Sequence, residues 1–166
     1  DSLTEYPDDD KDGVPNGPWA AGTNRAGVRV VGAQPLTGDV TVENSGAILV
    51  DGNQSYGVYI ESGLVGTLKS LGNIRVIGDQ SVGVRTTSTV TGAVDLGGTI
   101  AARGEGAEGV NIGGDVTGRL RFQGDISASG FRLTSRPNDT IIGNLKPDQL
   151  LQGGSAVVIG GNVGAG

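Results

Sequence analysis

One period organises this chain. Gly46, Gly72, Gly98 and Gly124 lie 26 residues apart, and Ile48, Ile74, Ile100 and Ile126 follow them by two. Gly52, Gly78, Gly104 and Gly130 keep the same step, as do Gly57-Val58, Gly83-Val84 and Gly109-Val110. Gly66, Gly92 and Gly118 form a further column, with Leu68, Val94 and Leu120 two residues later. Self-similarity at a fixed period of about 20–50 residues marks a stacked repeat architecture.

Within a repeat the apolar residues alternate with polar ones. Ile74 and Val76 flank Arg75, Val84 and Thr86 flank Arg85, and Val94 and Leu96 flank Asp95. Such alternation describes strands with one buried face. Three short strands per repeat, each ending near glycine, make one turn of a three-sided coil. The glycines then sit at corners, where the chain often needs positive φ. Matching positions must stack in register, so strands of successive coils run parallel, about 4.8 Å apart. The expected fold is all-β, a right-handed parallel β-helix (β-solenoid) of about 26 residues per coil. The hand follows the general preference of parallel crossovers. A left-handed hexapeptide solenoid needs a period built from sixes, and the Ca²⁺-binding nonapeptide motif is absent. No window carries sustained helical spacing, so no helix is expected.

The pattern reaches beyond the four regular coils. Gly27-Val28-Arg29-Val30 matches Gly57-Val58-Tyr59-Ile60 at a distance of 30, which requires small insertions near Ala33–Pro35 and Asp39–Ser45. Val157-Val158-Ile159-Gly160-Gly161-Asn162-Val163 matches the run from Val110 to Val116 at 47, which is 26 plus 21. An excursion of 21 residues, around 132–152 and bounded by Phe131 and Gly153, therefore interrupts the coil. Loops of this length are usually functional or disordered. The solenoid covers 25–166, and an irregular acidic segment covers 1–24. An outward column, Glu43, Lys69, Asp95 and Arg121, alternates in sign and predicts a ladder of ion pairs. After Val163 and Ala165, which match Val116 and Gly118, the strand equivalent to Leu120-Arg121-Phe122 is missing. Open edges of this kind template strand pairing. Flanking coils of a parent chain, or a neighbouring subunit, are the expected partners there.

Composition narrows the chemistry. The chain has no histidine and no cysteine, so a Ser-His-Asp triad, a thiol nucleophile and a Cys/His zinc site are excluded. Absence of cysteine suits passage through an oxidising compartment. A net charge of −6 without a basic patch argues against nucleic acid and anionic membranes. No apolar run is long enough to span a bilayer. The start at Asp1, without a signal peptide, reads as a processed or excised piece. With 36% apolar residues and 32 glycines, the core must be thin and built from Val, Ile, Leu and Ala.

Candidate sites are few. Asp8-Asp9-Asp10-Lys11-Asp12-Gly13 opens like a calcium loop, with Asp8, Asp10 and Asp12 as metal ligands and Asn16 as a further oxygen. An EF-hand would need glutamate where Trp19 stands, so the alternatives are a solvated acidic turn and a non-EF calcium site. Calcium is the single cofactor considered. The run ending in Trp19-Ala20-Ala21 suits an apolar lid over the first coil. Catalysis on polysaccharides would need clustered carboxylates or an activated base. The outward columns (Leu49, Arg75, Ala101, Ser127; Tyr59, Arg85, Asn111) are mixed instead, and no catalytic residue is assigned. Tyr56 and Tyr59 could stack on a sugar, though two tyrosines make a thin platform.

Coils reading G-x-I-x-V-x-G…G-V-x-I…V-x-G-x-V resemble the passenger segments of bacterial autotransporters and related surface β-helix proteins, over about Arg25 to Gly166. The resemblance implies a non-enzymatic, adhesive or structural rod, exported and displayed at the cell surface or released. Its implied partner is a cell-surface receptor or glycan, with no membrane insertion by this segment. The family's membrane barrel has no counterpart in the chain, which implies a fragment. Alternatives are a self-assembling subunit of a surface filament or layer, joined end to end, and a polysaccharide-acting enzyme.

Overall fold

A computed structural model describes residues 8–130, 136–150 and 153–165. It is an all-β chain, 46% strand and 6% helix, wound as a parallel β-solenoid of about 4 turns. The first coil holds β1 (Ala26–Val30), β2 (Leu36–Thr37), β3 (Val40–Val42) and β4 (Ala47–Asp51). The second repeats them as β5 (Tyr56–Ile60), β6 (Leu64–Val65), β7 (Leu68–Ser70) and β8 (Asn73–Ile77). The third has β9 (Val82–Thr86), β10 (Val90–Thr91), β11 (Val94–Leu96) and β12 (Thr99–Arg103). The fourth has β13 (Glu108–Ile112), β14 (Val116–Phe122) and β15 (Ile126–Ser129). After the excursion, β16 (Val157–Ile159) and β17 (Val163–Ala165) begin another coil.

Three sides result. One stacks β1-β5-β9-β13-β16 and another β4-β8-β12-β15. On the remaining side each coil bends between its two short strands, at Gly66 and Gly92. In the fourth coil the two pieces fuse into β14, which pairs with both β10 and β11.

The columns read from the sequence are columns in space. Ile48, Ile74, Ile100 and Ile126 are successive register partners. Ile74 and Ile100 are buried, whereas Ile48 and Ile126, on the outer coils, are half-buried. Val28, Val58, Val84, Val110 and Val157 form a second column. The four extra residues of the first coil divide equally. Val30↔Ile60 stands at 30, Leu36↔Leu64 at 28 and Ala47↔Asn73 at 26, so two residues enter between Val30 and Leu36 and two between Val42 and Ala47. At the far end Val163 meets Val116 as expected, but a register shift then places Ala165 opposite Arg119 rather than Gly118.

The glycine columns divide between two causes. Gly78 and Gly104 are corner residues, both with φ +153°, a conformation that side chains disfavour. Gly57, Gly83 and Gly109 are not at corners but inside strands. A Cβ at Gly83 would overlap Ile100 Cγ2 and lie 2.5 Å from the Gly109 carbonyl oxygen. A Cβ at Gly109 would lie 2.6 Å from Ile126 Cγ2. The isoleucine column thus fills the space that a neighbouring side chain would need, and the two periodic columns are halves of one packing solution. Two inward positions carry hydroxyls instead of apolar groups: Ser70 Oγ and Thr86 Oγ1 are buried without a partner.

The charge column differs from its expectation. The insertion in the first coil moves Thr41, not Glu43, beside Lys69. Lys69, Asp95 and Arg121 do stack in register. Arg121 Nε reaches Asp95 at 3.0 Å, and Arg119 joins at 3.2 Å. Burial tends to raise the Asp95 carboxyl, but Arg119 and then Arg121 outweigh it and hold its pKa below the usual value.

Candidate functional site

The corner after β4, β8 and β12 carries a side-chain ladder. Asn53, Asp79 and Glu105 occupy equivalent places in successive coils. Asn53 Oδ1 accepts from the Asp79 N–H at 2.9 Å, and Asp79 Oδ1 from the Glu105 N–H at 3.0 Å. Beside it, buried Ser81 Oγ accepts the Ser55 N–H at 3.1 Å and donates to the Gly52 carbonyl at 2.8 Å. Backbone groups that a corner would strand are satisfied in this way.

The N-terminal segment docks on this ladder. The Trp19 N–H donates to Asp79 Oδ2 at 3.3 Å and the Ala20 N–H to Asn53 Oδ1 at 3.2 Å. Asn53 Nδ2 returns a bond to the Ala20 carbonyl at 2.6 Å. Trp19 is 2% exposed, and Arg103 Cζ lies 6.0 Å from its ring centroid. Asn53 lies at the end of the first coil and Asp79 at the end of the second, and Arg103 belongs to the third, so the contacts of the segment run along the stack. Trp19 therefore lines the flank of the solenoid and is not a lid over the first coil. The corner offers the segment's backbone hydrogen-bonding side chains, and the ring gains a guanidinium to lie against.

Farther back, the acidic turn closes on itself and on the excursion. Asp8 accepts the N–H groups of Asp12 at 3.1 Å and Gly13 at 2.8 Å. One oxygen each of Asp8, Asp10 and Asp12 lie within 4.8 Å of one another. Asn16 Oδ1 accepts the Asp9 N–H at 2.5 Å. The opposing wall is helical, contrary to the expectation of no helix. It comprises α1 (Asp139–Asn144) and a 3-10 turn, Pro147–Leu150. Asn138 caps α1, accepting the Ile141 N–H at 2.9 Å, and Asp139 lies in its first turn. Asn-Asp ahead of Thr-Ile-Ile is a start signal that a search for long periodic helices overlooks.

Lys146 forms an ion pair with Asp10, and Gln149 Nε2 donates to Asp12 Oδ2 at 2.5 Å. The Lys146 hydrogen bond, against some desolvation, lowers the Asp10 pKa. The excursion is therefore held against the N-terminal segment rather than standing free. Phe131, Thr134, Ser135 and Leu151, which the sequence also assigned to it, lie outside the described residues. Three converging carboxylates suit a hard divalent cation with oxygen ligands about 2.3–2.6 Å away. Such an ion would compete with Lys146 for Asp10.

On the side built by β1, β5 and β9, Tyr56 and Tyr59 stack with centroids 4.5 Å apart. Tyr59 is flanked in register by Arg29 and Arg85, each 5.7 Å from its ring centroid. Arg85 also lies 5.6 Å from Tyr56, and Arg29 pairs with Glu61. The rings are engaged with guanidiniums of neighbouring coils, an arrangement worth about 0.5–1 kcal/mol per contact at exposed sites. This is packing along the rod, not an open sugar platform. Comparison with protein-family models, curated proteins and solved structures finds no match for the chain.

Proposed function

We propose that the chain is a non-enzymatic structural or adhesive β-solenoid segment of a bacterial surface-displayed or secreted protein of the autotransporter-passenger type. It acts as a stiff rod carrying the 132–152 excursion on its flank. The observation supporting this reading is the continuity of the rod. Val110, Asn111 and Ile112 pair with Val157, Val158 and Ile159, so 21 residues leave and the chain rejoins the stack in register at β16. An element inserted in this way can vary while the rod stays constant.

Two measurements test it. Antibodies against the chain should label intact cells of the source bacterium; labelling that requires lysis would contradict surface display. Deleting 132–152 should preserve β-type circular dichroism and the melting transition while exposing the N-terminal segment to cleavage at Lys11. Loss of the fold would make the excursion a structural element. The intact protein also reports on the acidic turn. Calcium at Asp8, Asp10 and Asp12 should give saturable heat in calorimetry and protect Lys11, and no heat at millimolar Ca²⁺ leaves a plain acidic turn.

A second reading is supported by the outer coils. Leu36 in the first coil is 41% exposed and Ile159 in the last is 50% exposed. An end-to-end subunit would bury both. Ordered polymers in light scattering and electron microscopy across a concentration series would favour it, and a strictly monomeric protein would exclude it.

A further inference from the structure

Alternation places Arg75, Ala101 and Ser127 side by side on the outer surface of β8, β12 and β15, with Arg103 and Ser129 two residues farther along. Together with Ala102 they line a groove of about 310 Å³. Ala101 and Ser127 are short beside Arg75, and the Ala101 methyl forms part of the floor of the groove. Arg75 and Arg103 both line this space, and among the described residues neither forms an ion pair with a carboxylate. The corner carboxylate Asp79 is occupied by the N–H groups of Trp19 and Glu105. Arg103 lies over the buried Trp19 ring. Arg75 is exposed. Burial, and then the charge of Arg75, lower the Arg103 pKa.

We propose that this groove binds an acidic sugar, its oxyanion held between Arg75 and Arg103 and its hydroxyls beside Ser127 and Ser129 over the Ala101 methyl. Guanidinium forks match carboxylate, sulfate and phosphate groups by charge-assisted hydrogen bonds. The volume is at the small end of the ligand-pocket range of about 300–1,000 Å³. A chain of net charge −6 repels long polyanions, which favours a single charged unit. The site stands apart from the surface-display reading, since antibody labelling of cells can fail while the groove binds.

The test is an amide chemical-shift titration of the whole chain with glucuronate, sulfate and glucose at constant ionic strength. Glucuronate should give saturable shifts at Ala101, Arg103 and Ser127, and glucose should give none. Arg75→Gln, a change at an exposed position, should weaken glucuronate by about tenfold or more. Arg121→Gln, which lies on another side, should leave binding unchanged. The proposal is overturned if glucuronate does not saturate, if Arg75→Gln has no effect, or if Arg121→Gln weakens binding equally. Glucose matching glucuronate, or sulfate binding where glucuronate does not, would also overturn the assignment to an acidic sugar.

Discussion

Gly83→Ala should destabilise the solenoid by about 3 kcal/mol or more, at the upper end of overpacking effects. The added Cβ would meet the Gly109 carbonyl at 2.5 Å and overlap Ile100 Cγ2. The first obstacle is backbone of the next coil, held in its own ladder, and it cannot step aside as a side chain can. Urea unfolding followed by circular dichroism measures the loss. Adding Ile100→Leu removes Cγ2 and should recover part of it, while the carbonyl clash persists. Gly143→Ala is the matched control. No atom lies within 4 Å of its Cβ position, and in α1 the change should be neutral or stabilising by up to about 1 kcal/mol. Equal effects at the two glycines would refute the packing explanation.

Ile100→Ala should cost about 2–5 kcal/mol, the range for deleting a large buried aliphatic side chain. Ile100 is fully buried between Ile74 and Ile126 in register. Because each coil touches only its neighbours, the resulting cavity has few other side chains to close it. Ile48→Ala, at the half-buried outer end of the same column, should cost clearly less. Equal costs would mean that the column is not a one-dimensional core. Domains of this kind retain only about 5–15 kcal/mol in total, so the Ile100 variant should show a markedly lower melting temperature.

Much of the fold was legible because the solenoid writes its geometry into its period. Ile and Val columns, the 30-residue offset of Val28 and the 47-residue offset of Val157 all became register pairs. Two features differ from what the spacing predicts because they depend on what surrounds a residue. Gly57, Gly83 and Gly109 look like turn residues in sequence, but the isoleucine Cγ2 atoms and the adjoining backbone require them. Glu43 fits the charge period, but the two residues inserted between Val42 and Ala47 leave β3 two places out of that period. The acidic residues Asp8, Asp10 and Asp12 were visible as a cluster. Their partners Lys146 and Gln149 lie more than a hundred residues away in a segment without periodicity, where sequence carries no register signal. The Arg75–Arg103 groove was hidden for a related reason. Outward columns tolerate any polar residue, so only the folded stack shows that Ala101 leaves a depression between them.

The coil resumes in register across the excursion at β16. Cysteine crosslinking tests it directly, because the native chain has no cysteine to interfere. Asn111→Cys with Val158→Cys joins register partners 47 residues apart, while Asn111→Cys with Val157→Cys is offset by one. Adjacent parallel strands bring register partners within the Cα separation of about 4.4–6.8 Å that a disulfide needs. The first pair should oxidise rapidly and nearly completely with the fold intact, and the second, whose side chains point to opposite faces, slowly or not at all. Equal oxidation of both pairs, or preference for the second, would contradict that register.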